Sequence, residues 1–582
     1  MQVIVPFLKK FIVFAIVGLT PGLTHALQVR IEAPAELAAL LDAHLEIAQA
    51  ARLKEPIAPE ELARLREASL STARDVLATE GYFSPQIREL PQGAGNDLLV
   101  VRITPGPRTR VSAVAIRFVG EINQADEHRA RLRARIERDF PLKTGMPFRQ
   151  ADWTKAKNSA VFPLLNDAYP AARLASSAAR VVPEQRSVEL HLTIDSGPVF
   201  YFGALEIVGS KRYSDDIARH LSPFRSGQVY RQQSLLDYQV ALEQSGYYAQ
   251  ALVTINPDPD LAAAVPVQVR VTEKPAKSLS FGLGVSSDTG ARVQTEYLQR
   301  NFRNRGLRLK LNAKAETRQQ SGGAELAWPQ NAQGFQDSLG AQLKHSDIEG
   351  LTTDSFLLAG RRSRTRGPLE TGLSLQYQIE NQQAGDGRDD RNRALTANYS
   401  WTRRKPGPGF YPTSGHVLNA QVGGATEAML SDRSFVRLYA RHTQYVRLGR
   451  QSRLVLRGEL GSVLAQARDG IPTDFLFRAG GDNSVRGYAY QSLGEHTAGG
   501  VQPVRYLATA SVEYNHFFNP TWGMAVFVDA GDAADSAADL APVMGVGAGV
   551  RYRSPVGPLN LDVAYGEAAR EFRLHFSLGL SF

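Results

Sequence analysis

The chain has 582 residues, no cysteine, and a net charge of +9 from 67 Lys and Arg against 58 Asp and Glu. Without cysteine it holds no disulfide framework, no thiolate metal site and no lipidated N-terminal Cys. The basic residues are scattered along the chain, so they read as solvated loops and rims, some facing anionic lipid, and a nucleic-acid-binding role is set aside.

Residues 1–26 read as an export signal. Lys9 and Lys10 precede an unbroken apolar run from Phe11 to Leu19, and Thr24-His25-Ala26 places small residues before a cut after Ala26. The run is well short of the roughly 20 residues a membrane-spanning helix needs. No later apolar run reaches about 18 residues, so a membrane-spanning part has to be a closed barrel, which satisfies its own backbone polar groups.

Residues 27 to 275 read as mixed helix and strand with an internal repeat. The runs Leu98–Pro107, Val188–Pro198 and Val267–Pro275 are each β-rich and closed by turn residues, with Ile103, Ile194 and Val271 in equivalent positions. Val114–Gly120 and Ala204–Gly209 open two of the units alike. Helical stretches lie between. Pro59 to Glu80 stops at Gly81-Tyr82-Phe83 and Ser234 to Ser245 stops at Gly246-Tyr247-Tyr248, where glycine takes the left-handed conformation of a helix end. The middle unit has Asp167-Ala168-Tyr169-Pro170 there and no glycine. The expectation is three β-α-α-β-β units, 27–107, 108–198 and 199–275, each a small sheet with helices on one face and a free sheet edge.

From residue 276 the pattern changes to strict alternation. In Glu571 to Phe582, the residues Phe572, Leu574, Phe576, Leu578, Leu580 and Phe582 are apolar, and Arg573, His575, Ser577, Gly579 and Ser581 lie between. A strand with one face in lipid and one in a polar lumen has this period of two. Leu279, Phe281, Leu283 and Val285 alternate with Ser280, Gly282, Gly284 and Ser286, and similar runs fall at 506–514, 524–529, 545–552 and 559–565. Sixteen antiparallel strands over residues 278–582 leave about 19 residues for each strand and connection; fourteen or eighteen also fit that division.

Enzyme motifs are missing: there is no P-loop, and no histidine pair at zincin spacing. No catalytic, metal or cofactor residues are assigned. Gly545-Val546-Gly547-Ala548-Gly549 imitates part of a dinucleotide fingerprint but sits in a strand pattern, so it reads as a glycine-rich barrel stave. The sharpest local signal is Phe477 to Tyr488, ending Val485-Arg486-Gly487-Tyr488. Gly487 permits a tight turn. Arg486 presents a rigid fork suited to carboxylates. Tyr488 is suited to pack on a lumen wall. Two carboxylates are in phase to face the lumen: Glu513, between Val512 and Tyr514, and Asp529, between Val528 and Ala530. The expectation is a tether from Arg486 to Asp529 with Glu513 nearby.

Residues 27–275 resemble POTRA domains. The Val-Arg-Gly-Tyr stretch and Phe527-Val528-Asp529-Ala530-Gly531 resemble motifs of the BamA/TamA/two-partner-secretion superfamily of outer-membrane assembly and translocation proteins. That resemblance implies α+β periplasmic POTRA repeats followed by a 16-stranded all-β barrel. It also implies a sixth extracellular loop folded into the lumen, with its Arg docked on acidic strand residues, and ATP-independent handling of β-rich clients. Three POTRA-like units fit the TamA branch, which implies a TamB-like inner-membrane-anchored partner at the first unit, unfolded outer-membrane protein or autotransporter clients, and contact with outer-membrane lipid. A client would add as a strand at the seam between the first strand (Leu279, Phe281, Gly282, Gly284) and the last, whose final Phe582 resembles the family's β-signal. The alternatives are a two-partner-secretion transporter and, in a different class, a passive porin-like channel.

Overall fold

The computed structural model describes residues 27–582 except 56, 92–97, 408–410, 555–556 and 582, and gives only the backbone of a few others, among them Ser577 and Gly579–Ser581. The expected export signal and Phe582 lie outside the described residues. The chain forms two compact units. One runs up to Ala204 and includes 226–233 and 255–266; the other comprises 205–225, 234–254 and 267–582.

Three three-stranded sheets precede the barrel, and in each the last strand in sequence lies in the middle. Leu98–Thr104 pairs in parallel with Gln28–Glu32 and antiparallel with Gln86–Pro91. Ser187–Asp195 does the same with Arg110–Val119 and Arg173–Val182. Val265–Glu273 lies between Phe202–Val208 and Tyr248–Ile255. The three repeated runs are therefore the central strands. A central strand needs one fully apolar face under its helices, and Ile103, Ile194 and Val271 are all buried there.

Two details depart from the repeat. The first unit holds three helices, Ala35–His44, Glu46–Arg52 and Pro59–Thr79, because Leu45 takes an extended conformation and splits what a single helix would cover. In the second unit Ala168 occupies the left-handed position, at φ 66°, that Gly81 and Gly246 occupy in the others. The helix stop is thus kept without its usual residue. Ala168 is held there by backbone bonds on both sides: its N–H donates to the Tyr230 carbonyl, and its carbonyl accepts from Phe200.

Sixteen antiparallel strands close the barrel, from Lys277–Ser286 to Glu571–Ser581. Alternation sorts the faces as lipid requires. Leu279, Phe281, Leu283, Phe572 and Leu574 are exposed on the outside, while His575 is buried inside. Within the barrel unit, Tyr247 Oη donates to the Gly306 carbonyl (2.6 Å) and Arg300 Nε donates to the Gly246 carbonyl (2.9 Å). The Gly-Tyr-Tyr helix stop of the third POTRA-like unit is thereby anchored on barrel strand ends.

Closure is uneven. The first strand pairs with the second along its whole length, Lys277 opposite Gln299 to Ser286 opposite Gly290. With the last strand it pairs over five residues, from Gly282 opposite Ser581 to Ser286 opposite Ser577. No other junction in the barrel pairs fewer than seven among the described residues.

Candidate functional site

The segment 465–505 joins the eleventh strand, Ser452–Leu464, to the twelfth, Tyr506–Phe517. It leaves at the end opposite to where the chain enters the barrel and folds back inside. Ile471, Phe475, Phe477 and Val504 bury themselves against Phe435, Val463 and Leu507 of the wall. Glu380 accepts hydrogen bonds from the Thr473 amide (2.9 Å) and hydroxyl (2.7 Å), and Lys344 pairs with Asp474 at 2.6 Å. These contacts fix the base of the loop and set the depth at which its tip arrives.

Arg486 sits at that tip, 3% exposed, against Asp529, which is 0% exposed. The guanidinium grips the carboxylate with two bonds, Nε to Oδ2 at 2.7 Å and Nη2 to Oδ1 at 3.0 Å, and the Arg486 amide adds a third to Oδ2 at 3.1 Å. Nη1 donates to Glu513 at 2.7 Å and to Asp562 at 3.0 Å. The guanidinium carbon lies 3.3 Å from the centroid of the Phe527 ring, which shields it from water. Arg551 closes the group from the wall, paired with Asp562 and, at 3.1 Å, with Glu513. Arg457 lies 3.9 Å from Asp529. Three carboxylates thus face three guanidinium groups in a largely buried pocket, where bidentate charge-assisted bonds are strongest.

The wall makes room for the loop by lacking side chains. A Cβ on Gly545 would stand 1.8 Å from the Arg486 carbonyl oxygen, and one on Gly547 would stand 2.4 Å from the Phe527 ring. Gly487, at φ 97°, passes against the backbone of Gly566. Its amide donates to His575 Nε2 at 2.9 Å. Val485 is buried, and Tyr488 Oη donates to the Met544 carbonyl at 3.1 Å while accepting from the Ala568 amide at 3.0 Å.

Val485, Arg486, Gly487, Tyr488, Glu513 and Asp529 therefore come together in one place. The seam residues Leu279, Phe281, Phe572 and Leu574 lie on the outer face instead, with Gly282 and Gly284 on the paired part of the first strand. Phe576 and Leu578 are half-buried on the last strand, and Leu580 lies opposite Leu283. Sequence reasoning missed Asp562, Arg551 and His575. Each lies in lumen phase between outward apolar residues, so the alternation that found Glu513 and Asp529 contained the same signal for them.

The comparisons follow the same division of the chain. A POTRA repeat (surface antigen variable number repeat) matches residues 200–274. The outer membrane protein assembly factor BamA of Nitratidesulfovibrio vulgaris is 22% identical over 510 residues, 82% of this chain and 63% of that protein, so the chain spans less than two thirds of that relative's length. The crystal structure of Haemophilus ducreyi BamA lacking POTRA domains 1–3 superposes with a TM-score of 0.64 at 17% identity, covering 81% of this chain and all of that one. CdiB from Escherichia coli gives 0.49 at 11% identity over 85% of this chain and 93% of its own. The Omp85 superfamily domain matches residues 274–582, the whole barrel and more than half of the sequence, and the chain belongs to the Omp85 superfamily.

Proposed function

We propose that this protein is an outer-membrane assembly and secretion factor that passes β-rich client chains through the seam between its first and last barrel strands, without ATP. In this reading POTRA units at 27–107, 108–198 and 199–275 stand in the periplasm behind an export signal. The clients are unfolded outer-membrane proteins, autotransporters among them. A TamB-like inner-membrane-anchored protein engages the first unit, as in the TamA branch of the superfamily.

The observation that carries the reading is the short seam. The Lys277–Phe281 part of the first strand is hydrogen-bonded to the second strand, and no described residue of the last strand pairs with its other edge. Such an edge binds an incoming strand through backbone hydrogen bonds, which give affinity without sequence specificity. Gly282 and Gly284 leave this strand little side-chain packing to hold it against its neighbour. Val485–Tyr488 with Glu513 and Asp529 then serve to hold the lumen loop, and no chemistry is assigned to them.

The test is a reversible lock. Ser286→Cys with Ser577→Cys places thiols on opposed residues of the seam, and the chain offers no other cysteine to compete. Oxidation is expected to stop client insertion into membranes and reduction to restore it. Full client insertion with the seam locked would defeat the proposal. A photo-crosslinker carried in residues 27–107 is expected to capture a TamB-like inner-membrane-anchored protein, and capture of other proteins alone would remove the TamA assignment.

A further inference from the structure

At the far end of the seam, three titratable residues from three distant parts of the chain meet. Asp288 lies in the turn after the first strand, Asp482 in the lumen loop, and His575 on the last strand, with their polar atoms within 4.8 Å of one another. His575 Nδ1 contacts Asp482 Oδ1 at 2.7 Å while Nε2 accepts the Gly487 amide, so Nδ1 carries the ring's proton and donates it. The 2.7 Å separation is that of a hydrogen bond, not of two ligands flanking an ion. Ser287 Oγ donates to the same Asp482 oxygen at 2.9 Å, and its amide donates to the Phe576 carbonyl at 2.9 Å. The Asp482 amide donates to Asp288 at 3.2 Å.

Asp482 thus touches both lips of the seam at once. The site sets a buried carboxylate, Asp288, beside a partly buried one, Asp482, and among the described residues no Lys or Arg pairs with either. The other titratable groups facing it are Tyr490 of the loop and Glu316 of the third strand, and Arg292 and Lys314 already neutralise Glu316. Two carboxylates this close share a proton more readily than they both ionise.

We infer that Ser287, Asp288, Asp482 and His575 form a proton-dependent clasp that holds the far end of the seam shut and makes its closure depend on the docked loop. This rests on the reading of the seam as a gate. With a proton on Asp288, Asp482 is free to accept from Ser287 and His575, and the lips are joined. With Asp288 ionised, the two carboxylates repel and the clasp loosens. Burial, and then the charge of Asp482, push the Asp288 carboxyl up to about 7. In an opened, solvated seam it would return to about 3.9. The closed form therefore holds its full advantage below about pH 4 and loses it as pH rises through about 7.

Nitroxide labels on Val293→Cys and Val563→Cys, both on the lipid face and one strand away from the seam on either side, report the gap by electron–electron distance measurement on the full-length protein in lipid nanodiscs. Raising the pH from 5 to 8 is expected to increase the wide population relative to the narrow one, by up to about a hundredfold. Asp288→Asn, which cannot ionise, is expected to keep the narrow distribution at both pH values. The same pH response in a His575→Gln background, which keeps a donor and an acceptor but does not titrate, assigns it to the carboxylate pair. Identical distributions for the unsubstituted clasp and Asp288→Asn at pH 8, or a flat response in the His575→Gln background, would overturn the clasp. The measurement uses no client, so it fails or succeeds separately from the seam lock above.

Discussion

Replacing Arg486 with alanine takes four charge-assisted hydrogen bonds from the lumen: two from Asp529, one from Glu513 and one from Asp562. The backbone amide bond to Asp529 is retained. Three carboxylates are then left with Arg551 and the more distant Arg457. Asp529 has no exposure to water, so solvent does not make up the loss, and breaking one side of a buried pair costs roughly 3–5 kcal/mol. That shifts the docked-to-undocked equilibrium of the loop by about two to three and a half powers of ten. The assay is limited proteolysis of residues 465–505 in the folded barrel, with urea unfolding in micelles as the companion measurement. Arg486→Ala is expected to expose the loop to cleavage and lower the unfolding midpoint. Arg486→Lys, which keeps the charge but not the planar fork, is expected to fall between. The charge-reversed pair Arg486→Asp with Asp529→Arg is expected to recover only part of the loss, because Glu513 and Asp562 would still face a carboxylate. An uncleaved loop and an unchanged midpoint in Arg486→Ala would refute the account of the docking.

Gly545→Ala places a methyl group 1.8 Å from the Arg486 carbonyl oxygen, and is expected to release the loop to protease as Arg486→Ala does. Gly458→Ala, on the eleventh strand with no atom within 4 Å of the added carbon, is the matched control and should leave cleavage unchanged. In the second POTRA-like unit, Ala168→Gly relieves a left-handed alanine and is expected to raise stability by about 1 kcal/mol, read as a higher melting temperature; a lower one would show that the Ala168 methyl contributes more by packing than it costs in backbone strain.

The barrel was legible because lipid and lumen impose their difference on adjacent residues, and a period of two shows plainly in the first strand and the last five. The POTRA-like units were legible for another reason: their central strands repeat an apolar run closed by a turn. Their helix count was less so. Leu45 interrupts the first unit without a glycine or proline to announce it, and Ala168 holds a left-handed turn through tertiary hydrogen bonds that no local signal encodes. Glu513 and Asp529 were found because a motif named the arginine and alternation named the face. Asp562, Arg551 and His575 carried the same alternation, but which lumen residues meet the loop depends on how deep it reaches, and that is set by distant anchors such as Thr473 on Glu380. The glycines at 545 and 547 read only as part of a glycine-rich barrel stave. Their role is the volume they leave empty: Gly545 gives room to the Arg486 backbone of the loop, and Gly547 to the Phe527 ring beneath the Arg486 guanidinium.

The loop's contacts also bear on what keeps the barrel closed. From Glu513 through Asp529, Gly545 and Asp562 to His575, they touch each of the last five strands in turn, and Asp482 continues to the turn after the first. The loop therefore bridges the two lips on the inside, while the backbone joins them over five residues. At roughly 0.5–1.5 kcal/mol for each net hydrogen bond, that short ladder amounts to about 3–8 kcal/mol. The Arg486 cluster, at roughly 3–5 kcal/mol, is of the same order. Neither dominates. Opening that breaks only the ladder would leave the lips joined through the loop, and undocking the loop alone would leave the ladder in place. If the seam opens to clients as proposed, a client strand would replace the ladder, a change in the loop would free the clasp, and wide opening would require both.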